Sequence, residues 1–165
     1  MTALLILIIL IALNALFVAA EFALVGAPRH VIEQRAREGS IVAASIHRVL
    51  SNPKQQDQYV ATAQLGITLA SLGLGMYSEH SLALWFIEVL HWAGASGLAT
   101  AHTLASVCAI SVMTYLHIVL GEMVPKSLAL LYAERSAIVL YSPMWVARSR
   151  LPTTSGRRWR RANTS

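Results

Sequence analysis

Three long windows without a charged side chain run along this sequence, and shorter polar segments separate them. The windows cover residues 1–20, 58–78 and 89–121. About 20 apolar residues in helical form are enough to cross the hydrocarbon core of a membrane. The pattern therefore predicts an all-α membrane protein with three transmembrane helices, at residues 4–25, 59–76 and 100–124.

The segment between the first two windows carries the signals of two short amphipathic helices. Gly39 suits the end of one helix and Ser40 suits the N-cap of the next. Pro53, preceded by an asparagine, ends the second helix. We predict a short cytoplasmic helical hairpin, residues 28–38 and 41–51, that lies against the inner face of the membrane.

Three further segments do not fit a membrane-spanning helix. Residues 82–92 contain two tryptophans, which predict a short separate helix at the outer membrane interface. Residues 136–147 are apolar but too few to span. Six arginines then fall within residues 148–165. This abrupt change predicts either a basic disordered tail that touches anionic lipid, or a sequence that has been truncated or shifted in frame.

Composition and charge placement support a membrane protein and give its orientation. Hydrophobic residues make up 56% of the chain, charged residues 13%, and the mean hydropathy is +0.56. All 13 lysines and arginines lie between the first two windows or after the third. Because cytoplasmic loops collect such residues, we predict a multi-pass protein of the cell membrane with its N-terminus outside and its C-terminus in the cytoplasm. The net charge of +5 is then explained without a nucleic-acid partner.

Each predicted span carries one polar stripe, because helical neighbours lie three, four or seven residues apart. The stripes are Asn14 and Glu21 on the first span, Gln64, Thr68 and Ser71 on the second, and Ser111 and Glu122 on the third. Their carboxylate, amide and hydroxyl oxygens are the ligands that hard divalent cations prefer. The alternative is that these side chains only join neighbouring helices by hydrogen bonds. Membrane carboxylates are costly, so Glu21 and Glu122 are the strongest candidates for a function.

The arrangement of histidine and serine does not favour an enzyme. His117 precedes Glu122 by five residues, which puts the two about 140° apart on an α-helix. We therefore interpret His117 as a packing residue. Ser111 and His117 are also badly placed for a nucleophile and its base.

Three segments, in order, resemble the transmembrane domain of the CNNM/CorC family, whose members are often labelled hemolysin-like. They are Asn-Ala-Leu-Phe-Val-Ala-Ala-Glu-Phe-Ala-Leu-Val at 14–25, Thr-Ala-Gln-Leu-Gly-Ile-Thr-Leu at 62–69, and Gly-Glu-Met-Val-Pro-Lys at 121–126. The third matches the family's Gly-Glu-x-x-Pro-Lys signature. The resemblance covers residues 5–145, so we assign residues 1–147 to one CNNM-type transmembrane domain.

This resemblance implies a homodimeric magnesium or cobalt transporter, with Na⁺ as the coupling ion and an acidic, inward-facing cavity between the three helices. Gly121, Glu122 and Glu21 match ligand positions of the family. Many members have Ser where this chain has Ala20, and Asn-Asn where it has Ile67 and Thr68. With the stripes, the predicted cation ligands are Glu21, Thr68, Ser71, Ser111, Gly121 and Glu122, and the structural motif positions are Asn14, Gln64, Gly66, Pro125 and Lys126.

Two hypotheses for function follow. The first is the membrane domain of a divalent-cation transporter. The second is a non-transporting scaffold, a regulatory fragment or a remnant, favoured because the cytoplasmic CBS domains that the family resemblance predicts do not follow residue 147. A homodimer is expected from the resemblance, and also from a face of small residues on the second span that permits close helix approach: Ala61, Ala63, Ala70 and Gly73.

Overall fold

The computed structural model describes residues 2–92 and 99–150, and within them every regular element is a helix. This confirms the predicted all-α class. The elements are α1 (Thr2–Gly26), α2 (Arg29–Arg37), α3 (Ile41–Ser51), α4 (Pro53–Trp92), α5 (Ala99–Leu116), a π-helical segment (His117–Met123), α6 (Val124–Leu131) and α7 (Ala133–Arg150).

Two of these helices have the length and composition of membrane-spanning segments. They are Leu4–Gly26 within α1, with a mean hydropathy of 2.7, and Pro53–Tyr77 within α4, with 1.3. Only 22% and 33% of their most apolar windows are buried by the protein itself. The larger part of each window is therefore not buried by the protein itself, as expected of helices that face lipid.

The helix α4 is longer than the sequence pattern indicated. Asn52 caps it, since Asn52 Oδ1 accepts hydrogen bonds from the backbone N–H groups of Lys54 and Gln55, at 3.1 and 3.4 Å. From Pro53 it continues without a break to Trp92. The predicted separate helix at residues 82–92 is therefore wrong, because this segment is the C-terminal part of α4. No proline lies between the two parts to stop the helix.

The third predicted span, residues 100–124, is divided between α5 and the π-helical segment. The change of helix type comes just before Pro125, which has no backbone N–H to donate. Residues 136–147 lie within α7, and residues 148–150 complete it. The rest of the predicted basic tail lies outside the described residues.

The chain groups into two compact units, and parts of both α1 and α4 belong to each. The first unit consists of Met1–Leu16 and Gly66–Pro125, and the second of Phe17–Leu65 and Lys126–Ser165. In the first unit, Leu7, Leu74 and Met113 form a buried cluster that brings together α1, α4 and α5. In the second unit, α3 packs against both α2 and α7. Its largest buried side chains are Leu24, Ile32, Ile46, Val49 and Met144.

The turn between α2 and α3 depends on two adjacent residues. Gly39 has a φ of +96°, in the left-handed region that glycine tolerates best. Ser40 Oγ then accepts a hydrogen bond of 3.3 Å from the N–H of Ala43 and caps α3. Arg35 of α2 forms an ion pair with Glu134 of α7 across the same unit.

The small-residue face of the second predicted span packs within the chain. Ala63 and Ala70 are buried. Gly73 is half-buried, and a Cβ atom there would lie 3.4 Å from Leu10 Cδ2. Only Ala61 of this set is exposed. Ala63, Ala70 and Gly73 therefore contribute to the packing of one protomer.

Candidate functional site

Four residues from three separate parts of the chain meet in the first unit, and we call them the Asn14 cluster. They are Asn14 of α1, Ser71 of α4, and His117 and Gly121 of the π-helical segment. Asn14 Nδ2 donates a hydrogen bond of 3.0 Å to the Gly121 carbonyl oxygen, and Ser71 Oγ donates one of 3.2 Å to Asn14 Oδ1. Ser71 Oγ also lies 3.4 Å from His117 Nε2. The cluster thus brings amide, hydroxyl, carbonyl and imidazole groups together among apolar helices.

The Gly121 carbonyl is available to Asn14 because of the residue four positions later. In an α-helix this carbonyl would accept a hydrogen bond from the N–H of residue 125, but Pro125 has none. The surrounding π-helical turn loosens the backbone at the same point. The Gly121 carbonyl thus has no α-helical donor, and Asn14 donates a hydrogen bond to it.

A side chain at position 121 would crowd two neighbouring side chains. A Cβ atom there would lie 2.9 Å from His117 Cδ2 and 3.1 Å from Asn14 Nδ2. Both distances are shorter than normal van der Waals contact. The absence of a side chain therefore permits Asn14 and His117 to approach the backbone of the π-helical segment.

Asn14 is the central member of the cluster. Its side chain is only 2% exposed. A buried amide is costly unless both its oxygen and its nitrogen are hydrogen-bonded, and both are paired here. Asn14 therefore joins α1 to α4 and to the π-helical segment.

A cavity of about 190 Å³ adjoins the cluster. One part of its wall is polar and the rest is apolar. Its lining residues are Ser71, Leu74, Gly75, Ile110, Met113, Thr114 and His117. The volume is several times the roughly 30 Å³ that one water molecule occupies in the liquid, so the cavity can hold an ion with some of its water.

Three other predicted ligands of the first unit are exposed. Ser111 Oγ donates a hydrogen bond of 2.7 Å to the Val107 carbonyl of its own helix. Thr68 and Glu122 also have exposed side chains. Among the predicted residues of this unit, hydrogen bonds join Asn14, Ser71 and Gly121. Nowhere in the described residues do three or more His, Cys, Asp or Glu side chains gather as a metal-binding group.

The second unit holds the other predicted acid, Glu21. Its half-buried carboxylate accepts a hydrogen bond from the side chain of Gln64 and is attracted by the charge of Lys126. The Lys126 ammonium also lies 4.4 Å from the centre of the Phe22 ring, which is cation–π geometry. The first-span acid, the second-span glutamine and the lysine of the Gly-Glu-x-x-Pro-Lys segment are therefore neighbours within this unit.

Sequence reasoning missed His117 as a member of the polar cluster. It compared His117 only with Glu122 and Ser111, whereas His117 lies beside Gly121, four residues later and on the same side of a helix. The available signal was the spacing of Gly121 and Pro125. A glycine four residues before a proline marks a carbonyl that lacks an α-helical donor and is open to approach.

Comparisons with known proteins identify sequences related to this chain. The Cyclin M transmembrane N-terminal domain, abbreviated CNNM, matches residues 5–150. The chain is 33% identical over 145 residues to UPF0053 protein YhdP of Bacillus subtilis, covering 87% of this chain and 32% of that protein. It is 37% identical over 149 residues to the uncharacterized protein Rv1841c of Mycobacterium tuberculosis, covering 88% and 40%.

A third relative, UPF0053 protein YrkA of Bacillus subtilis, is 36% identical over 148 residues, with 87% of this chain and 32% of that protein covered. The chain therefore spans a third to two fifths of the length of these relatives. The match to the domain extends over nearly the whole chain, and it confirms the resemblance found in the three sequence segments. The chain belongs to the CNNM transmembrane-domain family.

Proposed function

We propose that this chain is the membrane domain of a divalent-cation transporter, with Mg²⁺ or Co²⁺ as the transported ion. The Asn14 cluster carries the proposal. Amide, hydroxyl and carbonyl groups from three separate segments meet there beside a cavity. Polar groups within membrane-spanning helices are expensive and usually mark the path of an ion or substrate.

The chemistry of these groups suits a cation that is bound and then released. Neutral oxygens replace part of the hydration shell of an ion without holding it as tightly as several carboxylates would. The Asn14 side chain can turn its oxygen toward an ion once its hydrogen bonds are exchanged. In an α-helix the Gly121 carbonyl would accept a hydrogen bond from the N–H of residue 125, but Pro125 has no N–H.

We assign the two acids of the family motifs to attraction of the ion. Glu122 follows Gly121 directly, and Glu21 is the first-span acid. Carboxylates lower the electrostatic cost of bringing a divalent ion into an apolar region. We take the acidic cavity of the family as inward-facing and Na⁺ as the coupling ion, in keeping with the family resemblance.

The proposed arrangement has three membrane spans. The first two are the apolar parts of α1 and α4, and the third is α5 with the π-helical segment. The α2–α3 pair then forms a hairpin in the cytoplasm, since its exposed arginines follow the placement of all positive charges in the sequence. The N-terminus lies outside and the protein forms a homodimer.

One observation favours the rival, a scaffold that transports nothing. Asn14 has both ends of its amide satisfied by the protein alone. Hydrogen bonds of this kind can serve only to join helices. Cation binding therefore has to be measured directly.

The test is calorimetric titration of the purified 165-residue chain with Mg²⁺, Co²⁺ and Ca²⁺. We expect binding, and we expect Glu122→Gln to weaken it by roughly tenfold or more, about 1.4 kcal/mol. The matched control is Glu38→Gln at the C-terminal cap of α2, which removes an exposed acid outside the spans and should leave divalent-cation binding unchanged. If the wild type binds no divalent ion at millimolar concentration, the scaffold replaces the transporter.

A further inference from the structure

The Asn14 cluster contains a donor that an all-oxygen magnesium site does not have. His117 is the first residue of the π-helical segment, and its side chain is half-buried in the wall of the cavity. Its Nε2 atom lies 3.4 Å from Ser71 Oγ. An imidazole nitrogen is therefore placed beside the hydroxyl and amide oxygens.

The spacing of these donors suits one small divalent ion. Ser71 Oγ lies between the other two, 3.2 Å from Asn14 Oδ1 and 3.4 Å from His117 Nε2. Neighbouring ligands at right angles around an ion with bonds of about 2.1 Å are about 3.0 Å apart. Each of these two distances exceeds that spacing by only a few tenths of an ångström, on the order of the adjustment that side chains make without moving the backbone.

The donor type decides which ion such a site prefers. Mg²⁺ favours oxygen ligands, commonly carboxylates, and gives up its water reluctantly. Imidazole favours Co²⁺, Ni²⁺ and Zn²⁺. In the described contacts of the cluster, the ligands are neutral oxygens and one imidazole. This set of ligands is therefore expected to bind Mg²⁺ weakly and a transition-metal ion more tightly.

We propose that His117 determines the ion specificity of the Asn14 cluster, and that the site prefers transition-metal divalent cations such as Co²⁺ over Mg²⁺. The inference rests on the proposed function, since it names which divalent cations the same site takes. His117 Nε2 supplies the nitrogen ligand, and Ser71 Oγ and Asn14 Oδ1 supply the adjacent oxygens. The neutral imidazole form binds the ion, with its proton on Nδ1.

The experiment compares Co²⁺ and Mg²⁺ binding by the full chain and by His117→Gln. Glutamine keeps a polar side chain near Ser71 but removes the imidazole. We expect the Co²⁺ dissociation constant to rise about tenfold or more, while the Mg²⁺ constant changes by less than about twofold. The visible absorption of bound Co²⁺ should also shift in the variant, because it reports on the loss of the nitrogen ligand.

The matched control is His47→Gln. His47 lies on α3, and its Nε2 atom is 3.3 Å from Ser51 Oγ, so it makes a similar serine contact outside the spans. Its substitution should leave Co²⁺ affinity and absorption unchanged. If His117→Gln fails to fold, His117→Cys keeps a ligand for the transition metal, and it should retain Co²⁺ binding with a new sulfur-to-metal absorption band.

The outcomes separate the two proposals. Wild type that binds Mg²⁺ as tightly as Co²⁺, or His117→Gln that binds Co²⁺ with unchanged affinity and absorption, overturns the role of His117 and leaves the transporter standing. A bound Co²⁺ in His117→Cys without a sulfur band also overturns it. Wild type that binds neither ion overturns the proposed function itself.

Discussion

At the scale of single residues, a few small side chains control how closely polar groups approach one another. Asn14 is almost fully buried and bridges Ser71 and the Gly121 carbonyl. Gly121 leaves the space for that bridge, and Pro125 offers no N–H to the Gly121 carbonyl. Each of these residues sets the packing or hydrogen bonding of the others. The effects of substitutions here on the free energy of unfolding should therefore be strongly coupled.

The first prediction compares two glycines. Gly121→Ala places a methyl group against His117 and Asn14, and overpacking of this kind costs about 1–3 kcal/mol. At Gly75 no atom lies within 4 Å of an added Cβ, so Gly75→Ala should be neutral or stabilising by up to about 1 kcal/mol. Unfolding in detergent, followed by circular dichroism, measures both. Equal stability of the two variants would contradict the close approach at Gly121.

The second prediction is a double-mutant cycle on Asn14 and Ser71. Asn14→Ala leaves the Gly121 carbonyl without its buried donor, which costs about 1–3 kcal/mol in stability. Ser71→Ala removes a bond to the same amide, so the two changes should show a coupling energy of about 0.5–3 kcal/mol.

The control for this cycle pairs Asn14→Ala with Ser45→Ala. Ser45 is also on a helix, but its hydroxyl donates its hydrogen bond to the Ile41 carbonyl of that same helix. The effects of Asn14→Ala and Ser45→Ala on the free energy of unfolding should add to within about 0.5 kcal/mol. Additivity between Asn14 and Ser71 would mean that the hydroxyl does not support the amide.

At the scale of elements, the local signals differ in how well they predicted the structure. The turn at Gly39 and Ser40 follows from neighbouring residues alone, and α3 begins at Ile41 as expected. The continuation of α4 to Trp92 was missed, because tryptophans indicate membrane depth and say nothing of where a helix breaks. The π-helical segment was missed because periodicity arguments assume a constant helix type.

The third prediction tests the cap of α3. Ser40→Ala removes the side-chain acceptor for the Ala43 N–H and should cost about 0.5–2 kcal/mol. Ser40→Asp restores an acceptor and should recover most of that loss. Thermal unfolding of the three proteins provides the comparison. If Ser40→Ala unfolds like wild type, the cap does not contribute to stability.

The fourth prediction concerns the charge pair on α2. A hydrogen bond from Arg37 and its positive charge lower the pKa of Glu33 below its ordinary value. The pair therefore supports α2 above the unfolded pKa of Glu33, and this support is lost as the pH falls through the lowered folded pKa. Arg37→Gln should raise the Glu33 pKa toward its ordinary value, as measured by an NMR titration of the carboxyl carbon.

The matched control for Glu33 is Arg29→Gln, which removes a positive charge four residues away in the opposite direction. It should leave the Glu33 pKa nearly unchanged. An equal shift in both variants would mean that the general positive charge of α2, rather than its contact with Arg37, sets the pKa.

At the scale of the whole molecule, the sequence predicted the helical class and the family, while the cluster geometry required the structure. Apolar windows reveal helices long enough to cross a membrane, and three short segments reveal the CNNM domain. Helix stripes selected Asn14 and Ser71, but residues on different helices have no sequence rule that sets their distance. The contacts to Gly121 and His117 therefore appeared only in three dimensions.

The fifth prediction is the topology. In a Cys108→Ala background, a cysteine at Ser81 should react with a membrane-impermeant thiol reagent from outside the cell. A cysteine at Ser51 should react only after permeabilisation, because all lysines and arginines are placed on the cytoplasmic side. The opposite pattern of labelling would invert the proposed orientation.

The central claim is that this chain moves divalent cations across a membrane through the Asn14 cluster. The most direct measurement is Co²⁺ flux into proteoliposomes that enclose a dye quenched by the ion, with Na⁺ gradients of both directions applied. We predict Co²⁺ flux for the wild type. Ser71→Leu should abolish the flux, because Ser71 lines the cavity and a leucine side chain would occupy part of it. The Ser45→Leu control should keep the flux of the wild type. Wild-type vesicles that admit no more Co²⁺ than protein-free vesicles, or a Ser71→Leu variant with unchanged flux, would contradict the account.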